Sequence, residues 1–119
     1  MNGYGFQATE KVLDGVRIIT IEGELDIATS PQVRELLDGA AKDVERPLVV
    51  DLTECEFIDS SGVRAVLLSR EAQNSDDGTE HLAVAAASEQ ILRILSVMGI
   101  DRVIPIRPTL EEATSAISG

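Results

Sequence analysis

Apolar residues follow two alternating patterns along this chain. Short apolar runs, typical of strands, are separated by segments in which apolar residues recur every three or four positions, as in amphipathic helices. The first pattern predicts strands at residues 6–12, 16–22, 48–50, 82–86 and 103–104. The second predicts four helices: one with a stripe of Val33, Leu36, Leu37, Ala40 and Val44, one over residues 61–73, one with Ile91, Ile94, Leu95 and Met98, and one with Leu110, Ala113 and Ile117.

Turn and capping residues mark where these elements begin and end. Asp14-Gly15, between the first two strands, predicts a β-hairpin. The helix signals are Ser30 before Pro31, Ser88 with Gly99 as the stop, and Thr109 with Glu112 at capping-box spacing. Residues 74–78 are predicted to form a loop and not a domain linker.

The order of elements predicts the fold class. A hairpin is followed by helices that alternate with strands, which favours an α/β fold with a mixed sheet of about five strands and about four helices. The length of 119 residues suits one domain, spanning residues 1–119. In such sheets, function collects where a strand ends and a helix begins.

The composition indicates a cytoplasmic globular domain without crosslinks. Aromatic residues make up only 3% of the chain, so the core is aliphatic. The single cysteine, Cys55, excludes an internal disulfide, fits a reducing cytosol and is expected to fill an aliphatic slot. No apolar run approaches the roughly 18 residues of a membrane span. The first residues lack the charged and apolar blocks of a secretory signal.

The charge of the chain excludes two classes of partner. Its 10 basic and 21 acidic residues give a net charge of −11. Phosphate backbones and anionic lipid surfaces would repel such a protein. We therefore expect no direct binding to nucleic acid or membrane, and any influence on transcription should act through a protein partner.

The most informative stretch is Asp59-Ser60-Ser61-Gly62, between an apolar strand and an apolar helix. Asp59 or Ser60 is expected to cap the helix, and Gly62 to let another backbone approach closely. A phosphate on Ser60 would add about −1.5 to −2 charges, which the helix end would stabilise. A plain capping sequence explains the same four residues, and the two interpretations remain open here.

The helix that follows has apolar residues on two sides. Helical spacing places Val63, Val66 and Leu67 on one face, with Ala65, Leu68 and Ala72 nearly opposite. One face can pack on the sheet. The other is either an exposed apolar surface, suited to a regulated interface, or is covered by a neighbouring element.

The sequence lacks the residues that other functional classes require. Asp51 would suit a phospho-aspartate receiver, but no lysine follows it in the chain. Neither the GxSxG of hydrolases nor the GxxxxGK and GxGxxG of nucleotide sites occurs. The only histidine, His81, has no Cys/His cluster around it for a metal, and is expected at the surface. The protein is not expected to be an enzyme or to need a cofactor.

The chain resembles the anti-sigma factor antagonists, single-domain members of the STAS superfamily, over essentially its full length. The matching stretches are Gly23-Glu24-Leu25-Asp26, Leu48-Val49-Val50-Asp51-Leu52 and Phe57-Ile58-Asp59-Ser60-Ser61-Gly62. The combination of these stretches is specific to the family, whereas each stretch alone is weak evidence. Family members commonly continue with Leu-Gly after the last motif, whereas this chain has Val63-Arg64.

The resemblance implies a partner-switching mechanism. The unphosphorylated protein would bind an anti-sigma factor serine kinase and free a sigma factor, phosphorylation of Ser60 would release it, and a PP2C-type phosphatase would restore the serine. The implied partner-binding residues are Asp26, Asp59, Ser60, Ser61, Gly62, Val63, Arg64 and Leu67. Arg64 would pair with the phosphate, reach an acidic patch on the partner, or simply be solvated. The alternative function is a non-switching STAS scaffold or accessory subunit of a transporter or stress-sensing assembly.

Overall fold

A computed structural model describes residues 5–43, 46–73 and 81–117. The described chain forms five strands, four α-helices and one short 3₁₀ helix. In chain order they are β1 (Gln7–Leu13), β2 (Val16–Leu25), α1 (Ser30–Ala41), β3 (Leu48–Ile58), α2 (Ser60–Gln73), β4 (Leu82–Ala85), α3 (Glu89–Val97), the 3₁₀ helix (Ile100–Arg102), β5 (Ile106–Arg107) and α4 (Leu110–Ile117). Within the described ranges, no helix is long and apolar enough to cross a membrane.

The five strands form one mixed sheet in the order β1-β2-β3-β4-β5. The β1–β2 hairpin is antiparallel, and every later neighbour pairs in parallel. Its turn places Asp14 at φ 53° and Gly15 at φ 81°, as a two-residue hairpin turn requires. The predicted α/β class, hairpin and mixed sheet are therefore confirmed.

The parallel order determines where the helices lie. Crossovers between parallel neighbours are right-handed, so α1, α2 and α3 fall on the same face of the sheet. The main core between them is aliphatic, and its fully buried residues include Ile19, Ile21, Val33, Leu37, Val50, Leu52, Val63, Val66, Val84, Ile91 and Leu95. On the opposite face, α4 packs Leu110, Ala113 and Ile117, its predicted stripe, against Val16, Ile18, Val49, Ala83 and Ala85.

Two predicted strands differ from the observed ones. The strand predicted at 48–50 continues to Ile58, because β3 pairs with the whole second half of β2 through two register shifts. The strand predicted at 103–104 lies instead at Ile106–Arg107. Val103 and Ile104 donate their N–H groups back to the carbonyl of Ile100, which ends the 3₁₀ helix and keeps both residues out of the sheet.

The helix ends agree with most of the capping signals. Ser88 precedes α3, Gly99 follows it in the left-handed region at φ 79°, and the Thr109 hydroxyl accepts the N–H of Glu112 at 3.1 Å. The N-cap of α1 is Thr29 and not Ser30, which is the first helical residue. Among the other predictions, Val44 of the first stripe and the loop at 74–78 lie outside the described residues.

Candidate functional site

The candidate site lies where β3 ends and α2 begins. Asp59 stands between the two elements, and its Oδ1 accepts the N–H of Ser61 at 2.9 Å, the hydroxyl of Ser61 at 2.5 Å and the N–H of Gly62 at 3.2 Å. The sequence alone did not distinguish Asp59 from Ser60 as the cap. The structure assigns it to Asp59, which satisfies two of the N–H groups that the first turn of a helix leaves free.

These hydrogen bonds hold Asp59 as a carboxylate. Burial by itself would raise the pKa of Asp59, but the bonds from the Ser61 hydroxyl and from the backbone N–H groups of Gly62, Ser61 and Ile27 outweigh it, so the pKa is lowered. Asp59 therefore carries a full negative charge beside Ser60 at neutral pH.

Asp59→Asn is expected to destabilise the protein at pH 7 by about 1 kcal/mol, because the amide caps the helix without the charge. A carboxyl group whose pKa is lowered in the folded state contributes stability above its ordinary pKa, 3.8, and that contribution is lost as the pH falls through the folded-state pKa. The stability difference between the two proteins should therefore shrink below about pH 4. Urea unfolding at several pH values measures it, and a difference independent of pH would contradict this role of Asp59.

The two serines of the motif have different environments. Ser60, the first residue of α2, is exposed, and none of the hydrogen bonds found in the described part of the chain uses its hydroxyl. Ser61 is half-buried and donates its hydroxyl to Asp59. Of the two, Ser60 thus presents the hydroxyl that a modifying enzyme can reach.

The loop after β2, which contains Asp26, meets this junction. The N–H of Asp59 donates to the carbonyl of Leu25 at 3.1 Å. The backbone N–H of Ile27 also lies close enough to the Asp59 carboxylate to help lower its pKa. Asp26 itself holds the turn before α1, since its Oδ1 accepts the N–H groups of Ala28 at 2.9 Å and Thr29 at 3.1 Å. Ile27, which was not among the predicted site residues, has a side chain that is 77% exposed beside the junction. Its isolated position in a turn provided no periodic signal.

Gly62 is required by close packing, but its neighbours differ from the prediction. A Cβ at this position would lie 2.7 Å from Leu25 Cγ and 2.9 Å from Ile58 Cγ1. Two side chains of the core, and not another backbone, therefore occupy the space that the glycine leaves. This contact ties the first turn of α2 to the ends of β2 and β3.

The buried side of α2 is wider than predicted. Val63 and Val66 are fully buried as expected, but Ala65, predicted on the opposite face, is also buried because α1 packs along α2. Leu68 and Ala72 remain exposed, and Leu67 is half-buried. The apolar surface open to a partner is therefore a narrow strip along one edge of the helix.

This strip borders a groove next to the exposed serine. The groove encloses about 450 Å³ and is lined by Ser60, Ser61, Val63, Arg64, Leu67, Leu68, Met98 and Ile100. Among the residues that the structure describes, Arg64 is the only charged one in this lining, and Met98 is 43% exposed. The apolar stripe of the third predicted helix included Met98 but gave no sign of its contribution to this surface, which depends on where the end of α3 lies relative to α2.

The remaining candidate residues, Cys55 and Asp51, are buried and have structural roles. Cys55 is buried in the core as expected, where it donates to the carbonyl of Phe57 at 3.2 Å, and burial raises the pKa of its thiol. Asp51 is buried in the sheet and accepts the hydroxyl of Thr53 at 2.7 Å. No three metal-ligating side chains come together among the residues that the structure describes.

The mixed sheet and the capped Asp-Ser-Ser-Gly junction define a recognisable class. The family model of the STAS domain matches residues 7–113, and the chain belongs to the STAS domain family. The anti-sigma F factor antagonist of Paenibacillus polymyxa is 34% identical over 93 residues, which cover 77% of this chain and 78% of that protein. The anti-sigma-F factor antagonist RsfB of Mycobacterium tuberculosis is 26% identical over 106 residues, which cover 89% and 84%.

A solved structure agrees with these relatives. The crystal structure of an anti-sigma factor antagonist from Mycobacterium paratuberculosis matches with a TM-score of 0.89 and 25% sequence identity, and the match covers 100% of both chains. The resemblance to the anti-sigma factor antagonists is therefore confirmed. Their names are those of regulators and not of enzymes.

Proposed function

We propose that this protein is a cytoplasmic anti-sigma factor antagonist that binds an anti-sigma factor kinase while Ser60 is unphosphorylated. Binding would displace the sigma factor from the kinase, which leaves the sigma factor free to join RNA polymerase. The observation that supports the proposal most directly is the exposed Ser60 hydroxyl at the rim of the groove formed by α2 and Met98. The apolar strip beside it provides area for a protein interface.

The chemical step would be catalysed by the partner kinase, with Ser60 as the substrate. The γ-phosphoryl group of ATP moves to Ser60 Oγ: a new O–P bond forms, the bond to the β–γ bridging oxygen breaks, ADP leaves and a base on the kinase takes the hydroxyl proton. A PP2C-type phosphatase would use water to release inorganic phosphate and restore the serine.

Charge explains why phosphorylation would end the complex. The phosphate adds about −1.5 to −2 charges at an interface whose groove is largely apolar. Asp59, already ionised, lies next to it, and the chain as a whole carries a net charge of −11. Burying the phosphate would cost desolvation as well as repulsion. Asp26, Asp59, Gly62, Val63, Arg64 and Leu67 are proposed to shape this surface, with Val63 acting from beneath it because it is fully buried.

Ser60→Asp is expected to weaken binding to the kinase roughly tenfold or more, because it places a charge in the interface. Ser60→Ala should bind normally and stay bound when ATP is added, whereas the wild type is released. Each purified anti-sigma factor kinase of the source cells would be tested by calorimetry with and without ATP, with intact-mass analysis to locate the phosphate.

Ser61→Ala provides the matched control. The Ser61 hydroxyl bonds to Asp59 and is half-buried, so its removal should leave the release by ATP intact. If Ser60→Ala and Ser60→Asp both bound and dissociated as the wild type does, the switching function would be wrong. The non-switching scaffold would then be favoured.

A further inference from the structure

A phosphate on Ser60 would find the start of α2 already occupied. The N–H groups of Ser61 and Gly62 donate to the Asp59 carboxylate, and the N–H of Val63 donates to the Asp59 carbonyl at 3.1 Å. The expectation that the helix end itself stabilises the phosphate therefore meets an obstacle, because these amides have an acceptor. The phosphate would also face the negative charge of Asp59.

One cation is placed to compensate for this charge. Arg64 follows Ser60 by four residues on α2, is exposed like Ser60 and lines the same groove. Residues four apart on a helix are neighbours, with about 5–6 Å between their Cβ atoms. Long side chains on a helix point back toward its N-terminus, so the Arg64 side chain extends toward the turn that holds Ser60. Its guanidinium can donate two parallel hydrogen bonds to a phosphate.

We propose that Arg64 is the internal partner of phosphorylated Ser60. The guanidinium binds the phosphate across one turn of α2, and this pairing removes the positive charge of Arg64 from contact with the kinase. Phosphorylation thus changes the surface twice: it adds negative charge at Ser60 and occupies the cation at Arg64. The inference rests on the proposed phosphorylation of Ser60.

The experiment needs neither the kinase nor its identity. Phosphoserine is incorporated at position 60 during synthesis of the full chain, and the ³¹P chemical shift is followed against pH. A nearby cation favours the dianion, so the second pKa of the phosphate, about 6 in free phosphoserine, should be lower in this protein than in its Arg64→Gln variant. We expect a difference of roughly 0.2–0.4 pH unit.

Arg107→Gln is the matched control. It removes the same charge from an exposed position on β5, beside α4 on the opposite face of the sheet. This variant should titrate as the unsubstituted phosphoprotein does, and Arg64→Lys should retain part of the effect, because lysine keeps the charge but not the two-pronged geometry. Circular dichroism confirms that each variant is folded.

Two results would overturn the inference. In the first, the phosphate has the same second pKa in the Arg64→Gln variant as in the unsubstituted phosphoprotein. In the second, Arg107→Gln changes that pKa as much as Arg64→Gln does, so that the change reflects only the net charge of the protein. Both outcomes are independent of whether cells phosphorylate Ser60. The proposed function could therefore fail while the pairing holds, and the pairing could fail while the kinase still releases the protein.

Discussion

Gly62→Ala is expected to lower the free energy of unfolding by about 1–3 kcal/mol, because it overpacks the core at the start of α2. The added methyl group would lie 2.7 Å from Leu25 Cγ and 2.9 Å from Ile58 Cγ1. Leu25 is 0% and Ile58 is 3% exposed, so neither side chain can turn into solvent. The first turn of α2 would have to move away from the sheet and carry Ser60 with it. Kinase binding should therefore weaken together with stability.

Gly39→Ala separates this packing effect from the general effect of replacing glycine. Gly39 lies in α1, is exposed, and a Cβ there meets nothing within 4 Å. Alanine favours helix by up to about 1 kcal/mol over glycine, so this variant should be as stable as the wild type or more so. Urea unfolding followed by circular dichroism measures both, since the chain has no tryptophan. Equal stability of Gly62→Ala and the wild type would show that the core around Leu25 relaxes freely.

Gly23→Ala is expected to destabilise the protein more than Gly62→Ala does, by about 2–4 kcal/mol, because two costs combine. Gly23 has φ 88°, in the region that costs other residues roughly 1–2 kcal/mol. A Cβ there would also lie 2.5 Å from the carbonyl oxygen of Gly5, a backbone atom that no rotamer change can move away. Gly23 adjoins a register shift between β2 and β3, just before the loop that carries Asp26. The strain would therefore reach the candidate site.

Gly15→Ala distinguishes the two costs. Gly15 has a similar φ of 81°, but nothing lies within 4 Å of a Cβ built on it. This variant should lose only the roughly 1–2 kcal/mol of backbone strain. Urea unfolding of both variants gives their stabilities, and the difference between the two is the cost of the contact with Gly5. If Gly23→Ala lost no more stability than Gly15→Ala, the close approach of Gly5 to Gly23 would not contribute to the cost of the substitution.

Close packing thus explains why positions 23 and 62 are glycines, and both contacts help to hold the site in place. Gly23 lets the segment at Gly5 pass directly over β2, and Gly62 lets Leu25 and Ile58 pack beneath α2. Leu25 lies between them in the chain and joins the loop to the junction through its hydrogen bond from Asp59. The position of Ser60 consequently depends on the packing of buried residues around it.

Much of the architecture was predictable because it depends on local periodicity. Amphipathic spacing found all four helices, and Asp14-Gly15 found the hairpin, since these signals involve residues only a few positions apart. The second half of β3 was missed. Its polar residues Thr53, Glu54 and Glu56 hide the strand pattern, and only pairing with β2 keeps that segment extended. The short β5 was misplaced for a similar reason, because the 3₁₀ helix before it takes Val103 and Ile104.

At the site, the sequence by itself determined that an Asp-Ser-Ser-Gly motif begins a helix after a buried strand, because strand and helix periods change at that point. Only the tertiary structure decided which group does what. It assigned the helix amides to Asp59, left Ser60 exposed, and placed Leu25 and Ile58 against Gly62. It also buried Ala65 beneath α1 and brought Met98 beside Arg64. These outcomes depend on contacts between elements distant in the chain, which periodicity along one segment does not contain.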